Sequence, residues 1–311
     1  MTNRRFRFGI TFGGAPARSE ILPAIGRAED AGFDVIATAD HLTARHSVFP
    51  FLAAVSQLSP LRVASMVVAN DYRHPVVTAR DAATIDILSE GRLELGIGTG
   101  WIEDQYASVG LPYTDPRTRV DHLEEALDVI LGCWSGDPYT FAGARYQVRD
   151  VTCPRPVQQP HPTLLVAGSG RRMLSIGARK ADIVGISPLR AESRTLDDVG
   201  TAIATSGRRI EEQLGWIKDA AGSRFDHLEL NVVIHHLQVT SDRDGVLSRL
   251  SREWGSTPDA ILSSPHVLIG DHHQIVDTLL DRRERFGLSY VVFLSADLDL
   301  VAPIVRELTG R

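Results

Sequence analysis

The chain has 311 residues, a formal net charge of −6, 43% hydrophobic and 23% charged side chains. These proportions describe an ordinary globular protein. The acidic balance excludes the basic footprint of a nucleic-acid surface, and no run of about 18 apolar residues is present to span a membrane. Two cysteines, Cys133 and Cys153, exclude a disulfide scaffold and a cysteine-ligated zinc site, and they fit a reduced, cytoplasmic setting. Met1–Arg5 is basic but no apolar stretch follows it, so the N-terminus does not read as a signal peptide.

The chain repeats strand, loop and helix. Phe6–Phe12 alternates as a strand; Ser19–Ala31 is an amphipathic helix with Ser19 as the expected N-cap and Gly32 as its C-cap. Asp34–Ala39 is the second strand. Arg62–Ala69, almost uniformly apolar, is the third, with the composition of a strand buried on both faces of a parallel sheet. Pro75–Leu88 follows as a helix and Leu93–Gly98 as the fourth strand. The rhythm then breaks: 101–162 reads as an insertion holding one good helix, Asp115–Trp134, and a tight turn at 141–146. It resumes with Thr163–Gly168, the helix Arg171–Lys180, strand Ala181–Ser187, a helical stretch around Leu196–Ala221, strand Leu228–Leu237, a helical excursion ending with His272–Phe286, strand Ser289–Leu294 and helix Leu300–Leu308. Eight strands alternating with helices predict a single α/β domain over 1–311, a (β/α)8 TIM barrel, with an open doubly wound sheet as the alternative.

In such a barrel the chemistry lies at the C-terminal ends of the strands. Asp40-His41 there pairs a carboxylate with an imidazole, the side chain suited to moving protons near neutral pH; a structural pair is the plain alternative. Gly168-Ser169-Gly170-Arg171-Arg172 joins a strand to a helix start. Its glycines let the backbone approach an anion, its helix offers free N–H groups, and its serine and arginines add donors. Gly96-Ile97-Gly98-Thr99-Gly100 is not a dinucleotide fingerprint, because the glycines lie in a strand and the sixth position is Trp101. Small residues there read as a low floor beneath a flat ligand, with close packing as the alternative. No metal-ligand spacing and no serine-nucleophile elbow is present. Asn70–His74 is a polar run ahead of Pro75, which starts a helix.

The run "VASMVVANDYRHPVVTARDAATIDILSEGRLELGIGTGW" at Val63–Trp101, with Ala39-Asp40-His41, the segment Pro154–Pro160 and Leu165–Arg172, resembles the luciferase-like (bacterial luciferase superfamily) flavin and deazaflavin oxidoreductases, in particular the branch that uses coenzyme F420. The resemblance spans Phe6 to about Leu300. It implies a (β/α)8 barrel with the cofactor ring across the strand ends, backed by a bulge, often with a non-prolyl cis peptide, near Met66-Val67. It implies ring or ribityl contacts at Asn70, Thr99 and Gly100, and cofactor-phosphate contacts at Gly168, Ser169, Gly170 and Arg171. His41 becomes the proton relay or ring-side hydrogen bonder, oriented by Asp40. The family's sugar-phosphate dehydrogenases carry glutamate directly after Gly-Thr-Gly; Trp101 stands there in this chain, which points to a flatter, more apolar substrate wall. The expected function is hydride transfer between F420 and a small organic molecule. An FMN-dependent monooxygenase and a non-catalytic flavin-binding protein are the alternatives. The resemblance also implies a homodimer.

Overall fold

The computed structural model describes residues 4–43, 46–188 and 207–311, apart from the side chain of Arg208. Its strands are β1 (Arg7–Phe12), β2 (Val35–Thr38), β3 (Arg62–Ser65), β4 (Val68–Ala69), β5 (Leu93–Gly98), β6 (Tyr139–Ala142), β7 (Gln147–Val151), β8 (Thr163–Gly168), β9 (Ile183–Ile186), β10 (Glu229–Val233), β11 (His236–Val239), β12 (Val267–Gly270) and β13 (Leu288–Leu294). Parallel pairing runs β3-β2-β1-β13-β10-β9-β8-β5, and β3 pairs with β5 to close the ring. The protein is a closed eight-stranded parallel barrel with helices outside. An open sheet is excluded by that β3–β5 pairing.

The expected third strand is broken in two. Ala64 pairs with Glu94 while Val68 pairs with Ile97, so this side accommodates one residue more than its neighbour, the geometry of a bulge. The Met66–Val67 peptide inside the break is cis. Gly96 and Gly98 owe their identity to the same break. A Cβ on Gly96 would overlap the Ser65 carbonyl oxygen, and one on Gly98 would come 3.0 Å from Val67. Close packing, not a floor under a ligand, accounts for these two glycines.

Alternate residues of the strands fill the barrel. Val35, Ala37, Ala64, Leu165, Ile183, Tyr290 and Val292 form an apolar layer inside it. At the N-terminal end of the strands an ionic plug replaces apolar packing. Arg7 bonds Glu94 and Glu229, and Arg62 Nε lies 2.6 Å from Glu94. Glu94 is wholly buried, which explains a carboxylate in the otherwise apolar LELGIG strand.

Several boundaries differ from expectation. The first helix, Arg18–Ala31, is capped by Ala17, whose N–H donates to Glu20, not by Ser19; Gly32 closes it with φ 84. The expected strand Leu228–Leu237 divides into β10, in the barrel, and β11, which leaves it to pair with β12. The short β12 was hidden in the stretch read as helical. Of the helical stretch around Leu196–Ala221, the structure describes Ile210–Ala221 as helix; the part before Gly207 lies outside the described residues. Between β5 and β8, helix Pro116–Cys133 packs against the helices Pro75–Leu88 and Arg171–Lys180, taking the place of a barrel helix. The short helix Glu103–Ser108 and the antiparallel β6–β7 hairpin are additions to it. Among the described residues no helix is long and apolar enough to cross a membrane.

Candidate active site at the barrel mouth

A cavity of about 1290 Å³ opens at the C-terminal ends of the barrel strands, the end at which such barrels carry their chemistry. A smaller cavity of about 420 Å³ lies between outer helices, away from the strand ends. The large one brings together Asp40 and His41, Met66 and Val67, Thr99, Gly100 and Trp101, and Gly168, Ser169 and Gly170. Two expected residues do not line it. Asn70 turns its amide to the Tyr146 hydroxyl at 3.2 Å, tying the turn after β4 to the β6–β7 hairpin. Arg171, exposed in the first turn of its helix, does not border the cavity, and Arg172 reaches the rim instead, paired with Asp121 and Glu124.

The polar run after β4 has a local explanation. Asn70–Tyr72 forms a single 3-10 turn, and the His74 ring accepts the Val76 N–H as an N-cap ahead of Pro75. Arg73 folds back to grip Asp40, Nη1 to Oδ2 at 2.5 Å and Nη2 to Oδ1 at 3.1 Å. Asp40 also accepts the Ala69 N–H at 3.2 Å. Its carboxylate therefore ties β2 to the broken strand. Gln105, from the short helix after β5, places its Nε2 3.1 Å from His41 Nδ1. The hydrogen bonds of Asp40 thus run to Arg73 and Ala69, and an amide approaches the imidazole from Gln105. Asp40 occupies the strand end facing β4, and the helix Glu103–Ser108 lies nearer the imidazole.

Aromatic packing builds the outer wall. Tyr72, Tyr106 and Tyr113 follow one another with ring centroids 5.2 and 5.0 Å apart. The Tyr106 hydroxyl donates to the Thr99 carbonyl and the Tyr113 hydroxyl to the Trp101 carbonyl, at 3.2 and 3.0 Å. Burial raises the Tyr106 phenol above its ordinary value, so this donor keeps its proton. Gly100, at φ 72, has room for no side chain, since a Cβ would overlap the Tyr106 hydroxyl. Arg119 stacks 4.0 Å over the Tyr113 ring and donates to its hydroxyl. It is a buried cation at the mouth that no sequence motif announced.

The Gly168–Gly170 turn is cradled from behind. Gln213, from helix Ile210–Ala221, donates to the Ser169 carbonyl at 3.0 Å. A Cβ on Gly168 would sit 2.6 Å from Met173 Cβ, so that glycine serves the packing of strand against helix. Gly170 differs. Nothing lies within 4 Å of the Cβ it lacks, and as the N-cap of Arg171–Lys180 it provides no side-chain cap. An open backbone at an uncapped helix start is a place where an anion can approach the peptide N–H groups, and it satisfies what a phosphate-bearing cofactor tail requires. Among the described residues no cluster of three or more His, Cys, Asp or Glu is arranged to hold a metal ion.

Residues 6–218 match the model of the family described as luciferase-like monooxygenase. The chain belongs to this family. Within the luciferase-like proteins it is 34% identical over 175 residues to the F420-dependent glucose-6-phosphate dehydrogenase of Beutenbergia cavernae, covering 53% of this chain and 52% of that protein. It is 25% identical over 194 residues to the FMNH(2)-dependent dimethylsulfone monooxygenase of Pseudomonas putida, covering 59% and 53%. The chain thus matches about half the length of these curated relatives. In overall fold it superposes on an F420-dependent secondary alcohol dehydrogenase with a TM-score of 0.78 at 16% identity, over 98% of both chains. The luciferase-like barrel is therefore established from both directions.

Proposed function

We propose that the protein is an F420-dependent oxidoreductase that transfers hydride between the deazaflavin and a small organic substrate at the barrel mouth. One observation carries this reading: the broken third strand at Met66-Val67, His41, Thr99-Gly100 and the open helix start at Gly170 all border a single cavity. Its volume exceeds the range of roughly 300–1,000 Å³ usual for small-molecule sites, leaving room for a cofactor and a substrate side by side. The names of relatives such as the F420-dependent glucose-6-phosphate dehydrogenases and the Mycobacterium tuberculosis F420-dependent hydroxymycolic acid dehydrogenase support the choice of cofactor.

When bound, a deazaflavin supplies a carbon centre that accepts or gives hydride, and the protein supplies orientation and polarity. Met66 and Val67 would back the ring, Thr99 and Gly100 would border it, and Gly168, Ser169 and Gly170 would take the phosphate. Asn70 would act at one remove, holding the turn after β4 through Tyr146. Arg171 would contribute field rather than contact. His41 would stand at the ring edge, and Asp40 would fix the strand end that presents it. Trp101, with Tyr113 behind it, favours a flat, apolar substrate, and the absence of an acid at position 101 disfavours a sugar phosphate.

The reading includes a cytoplasmic homodimer, which rests on the family resemblance and is checked by light scattering, and no nucleic-acid partner, in keeping with the net charge of −6. The FMN-dependent monooxygenase reading draws on the dimethylsulfone monooxygenase relatives. Titrating the protein with F420 and with reduced FMN separates the two. Tight F420 binding and hydride exchange are expected; FMN binding with oxygen uptake would replace this reading with the alternative, and F420 binding without turnover over a broad panel would indicate a carrier.

A further inference from the structure

Gln213 is 1% exposed, and the two ends of its amide fare differently. Nε2 donates to the Ser169 carbonyl at 3.0 Å, while Oε1 is buried with no hydrogen-bond partner. Turning the amide over would bring two carbonyl oxygens together, so its orientation is fixed. A buried acceptor without a donor lowers stability, and an apolar side chain of the same length would escape that penalty. What the amide does for the protein therefore lies at Ser169. The Ser169–Gly170 peptide is trans, and in a trans peptide the C=O and N–H point in opposite directions. Ser169 and Gly170 border the mouth cavity, whereas helix Ile210–Ala221 packs against helix Arg171–Lys180 and contributes no residue to the cavity wall. A donor on that helix holds the carbonyl away from the cavity and so turns the Gly170 N–H toward it. Among the described residues no loop carbonyl takes that N–H. The same hydrogen bond polarises the peptide and makes its N–H a stronger donor.

We infer that Gln213 is a positioning residue that locks the Ser169–Gly170 peptide with its N–H facing the cavity, presetting the turn for an anionic phosphate before the cofactor arrives. The inference rests on the proposed placement of the cofactor tail at this turn. Gln213 itself lies outside the cavity wall and acts only through the peptide it holds. A turn fixed in advance spends none of the binding energy on ordering itself when the ligand enters. The unpartnered Oε1 is the stability lost for that fixed geometry, and it separates this role from a merely structural one: an apolar residue at 213 should harm the turn and spare the fold.

The test compares binding of F420 with binding of its phosphate-free chromophore, the deazaflavin ring carrying the ribityl chain alone. The wild type should bind F420 the more tightly, and the ratio of the two affinities measures the tail. Gln213→Met removes the donor and the unpartnered oxygen together. It should leave the thermal midpoint at or above that of the wild type and the chromophore affinity unchanged. F420 affinity should fall about 3- to 30-fold, part of the roughly 10- to 150-fold that follows outright loss of a hydrogen bond to a charged group. Gln213→Glu sets a carboxylate against the Ser169 carbonyl and should lower F420 affinity further. In the cofactor-free protein labelled with ¹⁵N-glycine, the Gly170 amide is assigned by comparison with Gly170→Ala. Its order parameter should be about 0.85 in the wild type and below about 0.6 in Gln213→Met. If the methionine variant fails to fold, Gln213→Glu supplies the same readouts. An unchanged affinity ratio, a Gly170 amide that stays rigid, or equal loss of both affinities with a lowered thermal midpoint overturns the positioning role alone. A wild-type ratio near one overturns the placement of the tail as well, and with it that part of the proposed function.

Discussion

Replacing Gly170 by alanine separates a ligand-binding role of the turn after β8 from a structural one. The backbone there, φ −88 and ψ 154, suits any residue, and the added methyl meets nothing within 4 Å. Exchanging glycine for alanine at an N-cap costs up to about 1 kcal/mol, and the smaller entropy of the unfolded chain returns roughly 0.4–1 kcal/mol. Stability should therefore stay within about 1 kcal/mol. A phosphate drawn to the peptide N–H groups would meet the methyl directly. Losing one hydrogen bond to a charged group costs about 1.5–3 kcal/mol, or roughly 10- to 150-fold in affinity. Thermal unfolding and a fluorescence titration with F420 measure the two quantities on one preparation. Gly168→Ala should by contrast lose stability, since its Cβ collides with Met173 and overpacking costs about 1–3 kcal/mol. An affinity for F420 unchanged in Gly170→Ala would refute the placement of the tail at this turn.

Other outcomes follow from the same structure. Gly96→Ala should destabilise by about 1–3 kcal/mol or more, because the clash is with the Ser65 backbone and not with a flexible side chain; a urea midpoint equal to that of the wild type would contradict the packing account. Glu94→Gln removes the buried anion shared by Arg7 and Arg62, and breaking such a pair should cost about 3–5 kcal/mol in denaturant unfolding, against less than 1 kcal/mol if the plug were idle. Cys133, buried and pushed up to about 12 by that burial and by Cys153, should resist a thiol reagent at pH 8 in the folded protein and react once the chain unfolds; rapid labelling of the native protein would show the helix end to be open. His41→Ala should keep F420 affinity within a few-fold and lose turnover, and retained turnover would remove His41 from the chemistry.

Much of this molecule is written in local pattern. A parallel barrel strand is buried on both faces, so Arg62–Ala69, Leu93–Gly98 and Thr163–Gly168 announce themselves as short apolar runs. Helices with a proline at their first position, such as Pro75–Leu88, or a glycine beyond their last, such as Gly32, carry their ends in the sequence. Because a barrel collects its chemistry at the strand ends, Asp40, His41, Thr99 and Gly168–Gly170 could be named from position alone. The division of Leu228–Leu237 into β10 and β11 was not legible, since a run of strand-forming residues with no glycine or proline inside it serves a strand that stays in the barrel and a strand that leaves it equally well.

What the tertiary structure alone decided is who touches whom. Arg73 claims Asp40 across 33 positions, Gln105 reaches His41 across 64, and Gly96 is a glycine because Ser65 lies against it from 31 positions away. Hydrophobic periodicity records which face of an element is buried, for burial depends on a residue's own side chain. It records nothing of the partner, for a hydrogen bond depends on two groups that only the closing of the barrel brings within about 3 Å.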